Sequence, residues 1–282
     1  MPTLEVPGAE INYEISGSGE PLLMIRGVGS HLGWWNSDFK AALQDRFSLV
    51  LYDHRGTGGS VHKDGEYTIP LIADDAATLL QGLGIEKAHI FGISLGGMVA
   101  QEIVLRHPQV VKTLVLGCTH CGGERVVWPS PEVVQILLAR AQEESGGKVG
   151  QAWLEAAFTS EFVQENPKVI AGYTEKAADR PTSPDIYRLQ AMAAAAFDAW
   201  ERLPSITAPT WIMHGERDAM IPPENAFVPE NRIPFAHLIL LPGMGHDFTV
   251  QNPFYSAWLL TGILCKSCFG DEGHDGQVVN IE

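Results

Sequence analysis

The sequence predicts an α/β fold, a mostly parallel sheet covered by helices on both faces, with a helical cap inserted late in the chain. Two observations carry this. Short apolar runs rich in β-branched residues alternate with helical patterns, the mark of parallel strands buried on both faces. Between about Thr119 and Pro204 the alternation stops, and several helical patterns follow one another without a convincing strand.

Leu4–Val6 and Ile11–Ile15, joined through Pro7-Gly8-Ala9, predict an opening hairpin, and Leu22–Arg26 and Ser48–Asp53 the next two strands. From Ile72, Ala76, Leu79, Leu80 and Leu83 fall on one helical face that stops at Gly84. Ala88–Ile93 reads as a strand. Leu95, Met98, Val99 and Ile103 form a helical stripe ended by His107-Pro108, because proline cannot continue the ladder; Thr113–Gly117 is the strand after it. Within the inserted block the clearest helix has Ser183 as N-cap and Pro184 at its first position, with Ile186, Leu189, Ala193, Phe197 and Trp200 along one side. Thr210–His214 and His237–Leu241 resume the strand pattern, and a last helix is expected from about Pro253 to Leu264. The domain reading is therefore a core of residues 1–118 and 205–264, a cap of 119–204, and a mobile C-terminal tail of 265–282 with three glycines and no apolar period.

Composition narrows the function classes. The 282 residues are 45% hydrophobic, enough for a large core, and carry a net charge of −15. That charge repels phosphate backbones and anionic lipid surfaces, so neither a nucleic-acid nor a membrane partner is expected. No apolar run approaches the roughly 18–20 residues of a membrane helix, and Met1–Glu10 lacks the regions of a signal peptide. Four cysteines in so long a chain make no disulfide framework. Together these features predict a cytoplasmic protein whose partner is a small-molecule substrate; they leave the oligomeric state open.

The chemistry is concentrated in a few segments. Gly92-Ile93-Ser94-Leu95-Gly96 matches G-x-S-x-G, a sharp strand-to-helix turn that presents a serine hydroxyl at the end of a sheet, and it lies between a predicted strand and a predicted helix. A serine hydroxyl needs a histidine to take its proton and a carboxylate to hold that histidine in the right tautomer. His246 follows a strand through the glycine-rich turn Leu241-Pro242-Gly243-Met244-Gly245, which hangs it over the same sheet edge. Asp218 follows Thr210–His214 through Gly215-Glu216-Arg217, with Glu216 as the rival acid of shorter reach. The chain order serine, acid, histidine distinguishes this arrangement from the two other common serine triads.

On these residues the chain resembles the α/β-hydrolase superfamily over residues 1 to about 262, and within it the capped carboxylesterase and enol-lactonase-like enzymes. The resemblance rests on Arg26-Gly27-Val28-Gly29, Tyr52-Asp53-His54-Arg55-Gly56, Gly92–Gly97, His214-Gly215-Glu216-Arg217-Asp218 and Gly243-Met244-Gly245-His246. It implies an α/β-hydrolase fold with Ser94 as nucleophile, Asp218 as orienting acid and His246 as base. It further implies that the backbone N–H groups of Val28 and Leu95 form the oxyanion hole. One position departs: where the family has His-Gly, this chain has Arg26-Gly27, which points either to a substrate carboxylate or to an ion pair with a nearby acid.

The remaining motifs predict less chemistry. Cys118-Thr119-His120-Cys121 and Cys265-Lys266-Ser267-Cys268 are too far apart in sequence to favour a zinc site, so no metal is expected. The Gly56, Gly58 and Gly59 turn lacks a phosphate-binding ending, and no dinucleotide fingerprint follows the first strand, so no cofactor is implied. Asp74-Asp75 reads as a solvated helix start. Trp34, Trp35, Trp128, Trp153 and Phe197 are the expected pocket wall, an apolar one suited to a neutral acyl or alcohol group. The leading expectation is a serine hydrolase that cleaves a carboxylic ester or lactone of a small to medium apolar substrate through an acyl-enzyme. The alternatives are cofactor-free carbon–carbon bond hydrolysis or perhydrolysis on the same triad, and a non-catalytic binding protein.

Overall fold

The computed structural model describes residues 1–63, 65–140 and 149–265. The chain opens with strands β1 (Thr3–Val6), β2 (Ala9–Ser16) and β3 (Glu20–Ile25), helix α1 (Ser37–Gln44), strands β4 (Phe47–Tyr52) and β5 (Val61–His62), and helix α2 (Ile69–Gly82). Strand β6 (Ala88–Ile93), helix α3 (Leu95–Arg106) and strand β7 (Val111–Gly117) follow. Among the described residues five α-helices then precede the next strand: α4 (Pro131–Arg140), α5 (Gln151–Ala157), α6 (Ser160–Glu165), α7 (Pro167–Asp179) and α8 (Pro184–Ala195). The chain closes with β8 (Thr210–Gly215), α9 (Phe227–Arg232), β9 (Ala236–Leu241), α10 (Phe248–Gln251) and α11 (Pro253–Leu264).

The sheet order is β1-β2-β4-β3-β6-β7-β8-β9, with β5 paired to β2. From β4 to β9 every pairing is parallel; among the described strands β2 alone runs against the rest, antiparallel to β1, β4 and β5. All six residues of β6 are buried, as an apolar run in mid-sheet requires. Helices α2 and α3 pack together over one face, in a core that includes Leu79, Val99 and Ile103; α1 and α11 cover the other with Phe39, Leu259 and Leu260. Because the central strands are parallel, the ends of β3, β6, β8 and β9 all emerge at one edge, where loops can bring distant residues together.

Two sequence expectations change. Helix α8 starts where Ser183 and Pro184 place it, with the Ser183 hydroxyl accepting the Ile186 N–H at 3.3 Å, but it ends at Ala195. Phe197 therefore leaves the helical stripe and is buried in the core beside α3, while Trp200 opens a separate short 3-10 turn. Asp74 and Asp75 lie inside α2, not at a solvated start. Asp75 is buried and takes two 2.7 Å hydrogen bonds from Arg55, while Asp74 pairs with Arg106 and His107. Of the tail expected to be mobile, only Cys265 lies within the described residues, so the rest of it, with Cys268 of the second Cys-x-x-Cys motif, falls outside them. Among the described residues no helix is long and apolar enough to cross a membrane.

Candidate active site

Ser94 stands between β6 and α3 with φ 60° and ψ −125°, a conformation that L-residues avoid and that persists only where the surroundings enforce it. The glycines around it enforce it. A Cβ on Gly92 would sit 2.1 Å from the Gly96 carbonyl oxygen, and one on Gly96 2.3 Å from that of Ile25, so strand, turn and neighbouring strand close up only with glycine at both positions. The Ser94 N–H donates to the Gly117 carbonyl at 2.9 Å, and the Thr119 hydroxyl donates to the Ser94 carbonyl at 2.7 Å.

His246 follows β9 and is buried; its Nδ1 lies 2.8 Å from Asp218 Oδ2. An ionised carboxylate can only accept, so Nδ1 carries the proton and Nε2 is left as a free base. Asp218 is itself tightly held: Oδ1 accepts the N–H groups of Met220 and Ile221, each at 2.9 Å, and His214 Nε2 approaches Oδ2 at 3.4 Å. Burial alone would push this carboxyl up; the charge of His246 and the hydrogen bonds from His214 and His246 outweigh burial and hold it well below the ordinary carboxylate range. Glu216, the rival acid, is exposed.

Ser94 and His246 both face one cavity of about 290 Å³, and Val28 and Leu95 lie on its wall. In the loop after β3 the Gly29 N–H is taken by Gln190 Oε1 at 2.6 Å and the Ser30 N–H by the Gly27 carbonyl at 3.3 Å, so neither is free to face the cavity. Leu95 is the first residue of α3, so its N–H is one of those with no partner inside the helix, and the helix dipole there favours negative charge. A Cβ on Gly27 would lie 3.0 Å from Ser94 Cβ, so this loop and the serine are in close contact.

The expected pocket wall is corrected in part. Trp128 and Trp153 line the cavity, whereas Trp34, Trp35 and Phe197 do not. Trp34 packs against Trp153 and Tyr173 of the inserted helices, with ring centroids 6.1 and 5.1 Å away. Its neighbour Trp35 points the other way, stacked 5.9 Å from Phe39 in the core under the sheet. Adjacent residues after a strand thus serve two different cores. The rest of the wall is mainly apolar and comes from Val126 to Pro129, α4, α8 and the loop after β8.

Arg26 pairs with Asp247, Nη2 to Oδ2 at 2.7 Å, both nearly sealed from solvent, and its guanidinium lies over the Trp35 ring at 4.7 Å. Burial pushes the Asp247 carboxyl up, but the Arg26 charge and hydrogen bond prevail and hold it below its usual value. Tyr173 Oη reaches the same carboxylate at 3.5 Å, so the loop after β3, the loop after β9 and the inserted helices meet at one buried ion pair. Sequence reasoning named Arg26 and weighed an ion pair, yet nothing local marked a partner 221 positions away. It also missed His214 behind the acid, whose strand position resembles ordinary core. Cys118, His214 and Asp218 bring possible ligand atoms within 4.8 Å of one another. These atoms already serve the Gly215 N–H, the Ile221 carbonyl and His246 respectively, and burial raises the Cys118 thiol, which suits packing better than a metal.

A family model for the alpha/beta hydrolase fold matches residues 20–253, well over half of the chain. The chain is 29% identical over 255 residues to "Putative carbamate hydrolase RutD" of Azorhizobium caulinodans, spanning 90% of this chain and 94% of that protein. Among solved structures it is similar to a thermophilic esterase from Thermogutta terrifontis, at 26% identity and a TM-score of 0.79 over 94% of this chain and 96% of that one. An enol-lactonase from Burkholderia xenovorans LB400 shares the fold at 24% identity and a TM-score of 0.82, over 94% and 100% of the two chains.

Proposed function

We propose, since this chain belongs to the α/β hydrolase fold family, that it is a serine hydrolase acting on a neutral, largely apolar carboxylic ester or lactone. The observation that carries the reading is the 2.8 Å bond between His246 and Asp218 in a histidine that shares one cavity with Ser94. In the proposed reaction His246 Nε2 takes the Ser94 hydroxyl proton while Oγ attacks the ester carbonyl, and the Val28 and Leu95 N–H groups receive the oxyanion. Collapse of the tetrahedral intermediate expels the alcohol, which leaves with the proton from His246. Water, activated by the same histidine, then hydrolyses the acyl-Ser94 and restores the enzyme.

The mainly apolar wall supports an apolar substrate, and a cavity near the small end of ligand pockets supports one of small to medium size. The similarity to the Thermogutta esterase agrees with an ester, while the name of the Azorhizobium relative makes a carbamate the other acyl compound to assay. The test is a substrate panel: p-nitrophenyl esters of rising chain length, lactones, carbamate esters and diketones, each with wild type and Ser94→Ala. Ester or lactone turnover that disappears in Ser94→Ala supports the reading. Turnover confined to diketones would move it to carbon–carbon bond hydrolysis, and no turnover of any class would favour a binding protein.

A further inference from the structure

The side of the cavity contributed by the inserted segment is mainly apolar, with Val126, Val127, Trp128, Val134, Leu137 and Leu138 upon it. Set among these side chains is His120, which is 9% exposed, with its ring 6.4 Å from that of Trp128. His120 Nδ1 lies 3.0 Å from the Gly122 backbone nitrogen. A backbone N–H can only donate, so Nδ1 is the acceptor and carries no proton. Burial, assisted by the nearby His214, pushes the imidazole pKa down to about 4, so the ring is neutral under ordinary assay conditions and its single proton resides on Nε2. In His54, His89 and His214 one ring nitrogen is hydrogen-bonded and the other is sealed within the protein without a partner. His120 differs: Nε2 is not among the sealed atoms, and the ring belongs to the cavity wall.

A fixed, uncharged N–H donor therefore interrupts a mainly apolar surface, whose other polar side chains from this segment are Tyr173, directed to Asp247, and Tyr187. A purely hydrocarbon substrate filling that region would strip the donor of water and give nothing back, whereas a substrate oxygen at the right place would restore the bond. We infer that His120 is a specificity-determining residue, donating its Nε2–H to a neutral ether, carbonyl or hydroxyl oxygen that the substrate carries away from the bond being cleaved. A neutral ring among valines, leucines and a tryptophan offers no charge to an anion, so a second carboxylate is not the favoured partner. The inference rests on the hydrolytic reading above, which it deepens by naming a second feature of the substrate.

The test is an oxygen scan. p-Nitrophenyl alkanoates are compared with esters of equal length in which one methylene, at each position in turn, is replaced by an ether oxygen. At one position the wild-type kcat/KM should exceed that of the plain alkanoate by about tenfold, mostly through KM. His120→Phe, which keeps a ring but no donor, should bring that ratio close to one whatever happens to the absolute rates, and His120→Gln should keep part of it. Calorimetric titration of Ser94→Ala with the same pairs reads the preference in Kd without turnover. A protein that hydrolyses none of these esters but binds the oxygen-bearing one more tightly defeats the hydrolytic reading alone. A flat scan in the wild type, or a preference that survives His120→Phe, overturns the inference. An equal loss on both members of a pair in His120→Phe, with the preference intact, would leave His120 only as the acceptor that shapes the Gly122 turn.

Discussion

Replacing Asp218 by Asn changes one atom's chemistry and almost no volume, and the surroundings dictate the outcome. Oδ1 is held by the N–H groups of Met220 and Ile221, two fixed donors at 2.9 Å, so the amide must turn its oxygen toward them. Its NH₂ then faces His246 Nδ1, where the carboxylate oxygen had been at 2.8 Å. A donor at that position forces Nδ1 to accept, which places the imidazole proton on Nε2, the nitrogen that the proposed reaction needs free to take the Ser94 proton. The loss is therefore one of tautomer as well as of charge, and kcat/KM should fall by roughly 10³–10⁴, or about 4–5.5 kcal/mol of barrier at about 1.4 kcal/mol per tenfold. The wild-type Asp218 carboxyl is held well below the ordinary range, so it stays ionised throughout a pH 5–9 assay and the loss should persist across it. Steady-state rates on a neutral ester over that range test this, with the exposed Glu216→Gln as a control near wild type. A mild Asp218→Asn and a crippled Glu216→Gln would refute the reasoning.

Three further outcomes follow from buried contacts. Arg26→Met strands the Asp247 carboxylate and should lower the unfolding free energy by about 3–5 kcal/mol in urea titration, while Arg26→Met with Asp247→Leu should recover most of it; a double variant no better than the single would contradict the ion-pair account. The Asp218 and Asp247 carboxyls sit below their usual range when folded, so their stabilisation is present above the unfolded value of about 3.9 and is lost as pH falls through the folded values. The melting temperature should accordingly drop below about pH 4, and a flat profile from pH 6 to 3 would contradict this. Gly96→Ala sets a Cβ 2.3 Å from the Ile25 carbonyl and must displace backbone beside Ser94, so ester turnover should fall by at least about 10²-fold; near wild-type rates would show that the turn has slack.

The alternation of elements was legible because each central strand is a short, mostly apolar run set between turn residues and helical patterns. The same property exposed the candidate site. Ser94, Asp218 and His246 each follow a strand within a few residues, and parallel strands deliver such residues to one edge. What escaped the sequence depends on directions fixed only in three dimensions. Trp34 and Trp35 are chemically alike and adjacent, yet one joins the inserted helices and the other the core beneath the sheet. Asp75 looked like a charge for a helix start until Arg55 arrived from a turn 20 residues earlier to neutralise it in the core. Phe197 fitted a helical stripe that the chain abandons two residues before it.

The most direct measurement is covalent labelling with a fluorophosphonate, read by mass spectrometry of the peptide that contains Ser94. An activated serine with a bound oxyanion reacts with such a probe, whereas an ordinary serine does not. The account predicts stoichiometric modification of Ser94 with simultaneous loss of ester hydrolysis, a rate of labelling that falls steeply in His246→Ala, and none in Ser94→Ala. An unlabelled Ser94 in a folded, ester-cleaving protein, or labelling equally fast without His246, would contradict it.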